Sequence, residues 1–148
     1  MAIIDKIKKD LIEAQKSGDR FRVNCLRFFL SALKNREIEL RRELTDEDVV
    51  EVAQRLAKQR RESIEGFKKG GRTDLVEKEE KELAILKEYL PEELSEEEIK
   101  RLAKECIEEV SATSKKDMGK VMKALMPKVK GRADGKLVQQ IVVGLLEG

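Results

Sequence analysis

Apolar residues recur at intervals of three and four along almost the whole chain, and no stretch alternates polar with apolar for the length of a strand. That periodicity predicts an all-α protein of about seven helices. Ile3, Ile4, Ile7, Leu11 and Ile12 share one face of a first helix, which the Ser17-Gly18-Asp19 turn ends. A second runs over residues 20–42, with Leu26, Phe29, Leu33 and Leu40 on one stripe and Cys25, Phe28 and Ala32 widening it. Thr45, followed by Asp46, Glu47 and Asp48, is an N-cap with acids in the positive first turn of a third helix, which Gly70-Gly71 stops. Thr73 caps a fourth helix, and Pro91 ends it, because the residue before a proline is pushed out of helical geometry. Ser95 and Glu98 form a capping box at the start of a fifth. Ser114 begins a sixth that stops near Pro127, and Asp134 caps the seventh. The seam at Pro91 to Ser95 divides the chain into an elongated N-terminal helical bundle, residues 1–92, and a compact C-terminal three-helix domain, residues 93–148.

Composition removes whole classes of function. The chain has no His, which excludes Ser-His-Asp and Cys-His catalysis, HExxH metal sites and His-liganded zinc fingers. Its aromatics are Phe21, Phe28, Phe29, Phe67 and Tyr89 alone, too few for a surface that stacks single-stranded bases. Cys25 and Cys106 each sit beside an apolar neighbour and are expected as buried thiols rather than a disulfide. The first residues, MAIIDKIKKDLIEA, interrupt apolar positions with charge, unlike a signal peptide, and no apolar run is long enough to span a bilayer. The expected location is cytoplasmic, with no membrane partner.

The net charge of +2 hides a partition. Residues 91–112 carry three basic and eight acidic side chains, whereas residues 113–148 carry eight basic and three acidic. The basic cluster includes Lys120, Lys123, Lys128, Lys130, Arg132 and Lys136, much of it around the loop from Pro127 to Gly135. Gly131 and Gly135 would let the loop backbone approach a phosphate, and the last helix begins just beyond with its unpaired amides. The alternative is a solvated turn with lysines on outer helix faces. The segment Phe67 to Asp74 has similar ingredients, but a helical hairpin closed by a left-handed glycine explains it more simply. Arg60-Arg61, flanked by acids in neighbouring turns, is a solvated face.

Glu88-Tyr89-Leu90-Pro91 with its following cap, Asp117-Met118-Gly119-Lys120-Val121-Met122, and Lys128 through Gly135 together resemble the GatB/YqeY family. Gly71-Arg72-Thr73-Asp74-Leu75-Val76 is similar to the free-standing YqeY branch in particular, and the likeness runs essentially end to end. GatB is a subunit of the glutamine-dependent amidotransferase that amidates misacylated Glu-tRNA or Asp-tRNA, and the shared part is its C-terminal helical region, whose tail helps hold the tRNA. The resemblance therefore implies RNA, specifically tRNA, as a partner, and a family association with carbon–nitrogen ligase activity using glutamine as amido donor. GatB's catalytic cradle for ATP and magnesium has no counterpart in this chain, nor has the partner subunit's serine–lysine machinery.

The leading expectation is a non-catalytic tRNA-binding or amidotransferase-associated module. Its nucleic-acid contacts are expected at Lys120, Lys123, Lys128, Lys130, Gly131, Arg132, Gly135 and Lys136. No catalytic residue, metal ligand or cofactor is assigned: Glu79, Glu80 and Glu82 spread around one helix, and no nucleophile stands at motif spacing from a base. The alternative partner is a protein complex without nucleic acid, met by the charged N-terminal bundle. A DNA-binding helix-turn-helix ranks below RNA, because the last helix offers Gln139 and Gln140 but is otherwise apolar.

Overall fold

A computed structural model describes residues 2–130 and 132–147. Seven α-helices and no strand lie among those residues: α1 Ile3–Ser17, α2 Arg20–Leu40, α3 Asp46–Lys69, α4 Thr73–Lys87, α5 Glu96–Glu109, α6 Met118–Val129 and α7 Gly135–Glu147. A 3-10 turn, Lys115–Asp117, leads into α6. The protein is all-α. Its contacts divide it into two compact units, Met1–Leu90 and Pro91–Gly148.

In the N-terminal unit α1, α2 and the first half of α3 bury Ile7, Leu26, Phe29, Leu33, Val49, Val52 and Leu56 around one core, joined by Leu86 and Tyr89. The second half of α3 pairs with α4 through Ala57, Ile64, Val76 and Leu83. Gly71, at φ +70°, makes the left-handed step that turns α3 back into α4. Gly18, at φ +76°, does the same between α1 and α2. At Tyr89 aromatic and polar contacts coincide. Its ring meets Phe29 edge-on at 5.8 Å between centroids, and its hydroxyl donates to Asp10 Oδ2 at 2.5 Å. Arg22 grips Glu88 with both terminal nitrogens, at 2.7 and 3.1 Å. Burial, reinforced by Asp10, holds the Tyr89 phenol above its ordinary pKa.

Several helix ends differ from those the sequence predicts. Thr73 is the first residue of α4 rather than its cap; Arg72 holds the cap position with no side-chain cap bond, and its guanidinium turns to Asp74 instead. The α-helix stops at Lys87, ahead of Pro91, because the main-chain amides of Glu88, Tyr89 and Leu90 each bond three residues back and tighten the chain. Pro127 lies inside α6, which continues to Val129. That last residue is fully buried, so packing carries the helix past the proline. Ser95 accepts from the Glu98 amide at 3.2 Å, but its hydroxyl donates to the Glu98 carboxylate at 3.1 Å, and the reciprocal half of the capping box is replaced by that side-chain bond. Phe28 does not widen the α2 core stripe: it is 52% exposed.

Thr45 and Asp48 do complete a capping box. Asp48 also receives both terminal nitrogens of Arg42, at 2.6 and 3.1 Å. Arg42, followed by the Thr45 amide and hydroxyl, holds the Asp48 carboxyl well below the usual carboxylate range. Thr45→Ala is expected to cost about 1 kcal/mol in denaturant unfolding. The stability that ionised Asp48 contributes is present above the unfolded carboxylate pKa and is lost as pH falls through the depressed folded value. Accordingly, the Tm advantage of the parent over Asp48→Asn should be full at neutral pH and shrink below about pH 4.

Candidate nucleic-acid interface

The C-terminal unit packs α5, α6 and α7 around Ile99, Ala103, Cys106, Val121, Leu125, Val129, Val138 and Val142. On α6 the buried positions Val121, Leu125 and Val129 recur every four residues and fix the opposite side as the solvent face. Lys120 and Lys123, three residues apart, are exposed there, and Lys116 is exposed on the 3-10 turn before them. Lys136 is exposed in the first turn of α7.

The basic residues fall into two groups. Some have work inside the unit. Lys128 Nζ lies 3.1 Å from Glu109 Oε1, and that contact raises its pKa. Lys115 pairs with Glu147. Arg132 Nε donates to the Glu92 carbonyl at 3.1 Å, while its own carbonyl accepts from the Leu94 amide at 2.7 Å, so this residue ties the chain entering α5 to the loop before α7. The second group is uncommitted. Lys116, Lys120, Lys123 and Lys136 form no side-chain ion pair among the described residues.

The nearby acids form no ion pair with this second group among the described residues. Asp117 accepts from the Thr113 amide at 2.9 Å, which lowers its pKa, with the charge of Lys120 a lesser contributor. Asp134 Oδ1 accepts from the Lys136 amide at 3.3 Å. That bond occupies one of the free donors at the start of α7 and supplies the negative charge the helix end favours. An anion entering there would have to displace it. Lys130 is exposed, and Gly131 lies outside the described residues. Gly135 is the first residue of α7, and a Cβ added to it would meet nothing within 4 Å. No contact inside the chain therefore requires glycine at that position.

Elsewhere the candidate sites resolve into structure. In the segment Phe67 to Asp74 the amides of Gly71 and Arg72 bond to Lys68 and Phe67 carbonyls, as the hairpin reading expects. Arg60 is not on a solvated face. Its Nη1 lies 3.0 Å from both Glu79 Oε2 and Glu82 Oε2, so two α4 acids converge on it from the neighbouring helix. Only the pairing of α3 with α4 brings them together, and no spacing within α3 signals it. Burial, ahead of the opposing pull of Arg60, raises the Glu82 carboxyl. Both thiols are free, Cys106 buried and Cys25 partly so.

A model of the Yqey-like protein family matches residues 4–146. The chain belongs to that family. Among curated relatives, altered inheritance of mitochondria protein 41 of Lachancea thermotolerans is 41% identical over 88 residues, covering 59% of this chain and 47% of the relative. The protein of that name from Saccharomyces cerevisiae is 30% identical over 139 residues, covering 93% and 66%. An uncharacterised protein of Schizosaccharomyces pombe is 36% identical over 89 residues, covering 60% and 72%. The chain spans about half the length of the Lachancea relative and of the one from Eremothecium gossypii. None of these names is that of an enzyme.

The expected cytoplasmic location is overturned by these relatives, several of which are mitochondrial by name. Composition and periodicity encode the fold and do not specify a compartment.

The division of the basic residues has a measurable consequence. Lys128→Glu places like charges where Lys128 and Glu109 now meet and is expected to lower Tm. Lys123→Glu, with no partner to lose, should leave Tm unchanged in the same thermal melt.

Proposed function

We propose that the protein is a non-catalytic RNA-binding module, with tRNA as the favoured RNA, whose C-terminal unit meets backbone phosphates through Lys120, Lys123 and Lys136, joined by Lys116. The observation that carries this reading is the local charge distribution: Lys116, Lys120, Lys123 and Lys136 are exposed and make no side-chain ion pair among the described residues, while Glu147 is taken by Lys115. Phosphate recognition of this kind draws on sugar and backbone contacts and does not need stacking aromatics. The link to glutamine-dependent amidation rests on the likeness to the tRNA-holding part of GatB and belongs to this proposal.

Within the proposal, the residues around the loop before α7 differ in role. Lys128 and Arg132 support the unit, and Gly135 stands beside Lys136 at the first position of α7. The test compares tRNA affinity across salt for the parent and for Lys120→Glu/Lys123→Glu/Lys136→Glu. The triple variant is expected to keep its helical circular dichroism and to bind at least about tenfold more weakly at low salt. The slope of log affinity against log salt should fall by about 0.7–0.9 for each phosphate that the variant no longer neutralises. Equal affinity and slope in the two proteins would overturn the reading.

A further inference from the structure

α2 carries charge of one sign over most of its length. From Arg20 to Arg36 it holds five cations and no acid, in a sequence whose charges otherwise nearly cancel. Two of the five are used: Arg22 on Glu88 and Arg36 on Glu39, the latter at 2.9 Å. Arg20, Arg27 and Lys34 are exposed and make no ion pair among the described residues. Their seven-residue spacing aligns them along one side of the helix. Cations in the first turn also oppose the helix dipole, so local helix stability gives no reason for them.

Beside this stripe runs an apolar one that the core does not use. Phe21, Cys25 and Phe28 wall a groove of about 280 Å³ against Ile85 and Leu86 of α4. Phe28, 52% exposed, stands at its edge. The guanidinium carbon of Arg60 lies 5.4 Å from the Phe28 ring centroid, and its charge is met by Glu79 and Glu82, so it acts as a wall. Lys78, the other cation lining the groove, is exposed without an ion pair among the described residues.

We propose that this groove receives an amphipathic helix of a partner protein, its apolar side seated on Phe21 and Phe28 and its flank carrying Asp or Glu toward Arg20, Arg27 and Lys34. Charge complementarity selects the acidic partner, and the concave apolar floor between α2 and α4 selects a protruding helix. A flat bilayer cannot fill the concavity, and a nucleic acid backbone offers nothing apolar to cover Phe21 and Phe28. From Arg20 to Lys34 the stripe is about 21 Å long, which corresponds to a partner helix of roughly four turns. This surface belongs to the N-terminal unit and does not rest on the RNA reading.

Cys25 reports on the groove directly, because Cys106 is buried and Cys25 lines the site. Burial pushes the Cys25 thiol up to about 11, so alkylation by iodoacetamide is followed at about pH 9. The probe is a helical peptide of about 18 residues built from Leu on one side and Glu on the other, compared with its Leu–Lys counterpart. At about ten times its dissociation constant the Leu–Glu peptide should slow Cys25 alkylation about tenfold. The Leu–Lys peptide should not. Arg27→Glu/Lys34→Glu should abolish the protection with helical content unchanged, and Phe28→Ser should weaken it independently. The C-terminal triple lysine variant should retain it in full, which separates this proposal from the RNA reading. No protection by the acidic peptide, equal protection by both peptides, or protection instead by single-stranded RNA or phosphatidylglycerol vesicles would overturn it.

Discussion

The N-terminal unit depends on the meeting of Phe29 with Tyr89. The Phe29 ring on α2 and the Tyr89 ring just beyond α4 are both buried, and their edge-to-face contact joins elements far apart in the sequence. Because Tyr89 spends its hydroxyl on Asp10 of α1, the same side chain also fixes α1 against the pair. The ion pair of Arg22 with Glu88 then holds the chain leaving α4 against α2. With this end fixed, the α3–α4 hairpin is left to pair along its length, and the groove beside α2 follows from where α4 comes to rest.

The two units solve the same problem with different surfaces. Each buries one stripe per helix and leaves charge outside, but the outside charges are not equally spoken for. In the C-terminal unit the ion pair of Lys128 with Glu109 and the hydrogen bonds of Arg132 serve the unit itself, while α6 turns Lys120 and Lys123 outward with no ion pair among the described residues. In the N-terminal unit Arg60 and Arg22 are matched by α4 acids and Glu88, while Arg20, Arg27 and Lys34 are not. Net charge near zero therefore conceals two cationic faces, one on each unit, which differ in that only the α2 face has exposed aromatic surface beside it.

The helices, their order and most of their starts are legible because they rest on local physics. Periodic apolar residues choose the buried face, and Thr45 and Ser95 satisfy amides within their own first turns. Helix ends are less legible where tertiary burial outweighs local preference. Pro127 reads as a stop, yet the buried Val129 keeps α6 going. Membership of the candidate site is legible as a basic cluster but not as a set of contacts, since whether a lysine is committed depends on acids brought near by another helix.

The sequence by itself determined that the chain is helical throughout, where the helices fall and that the tail is basic, because periodicity, capping and charge counts are properties of neighbours along the chain. Only the tertiary structure decided that Phe28 faces out while Phe29 faces in, that Arg60 is held by two acids of α4, and that Lys128 is engaged while Lys120 is not. Those outcomes depend on which helices meet and at what rotation. One residue's step of about 100° around a helix axis separates core from surface, and the partner across the interface, not the sequence neighbour, decides which charges are satisfied.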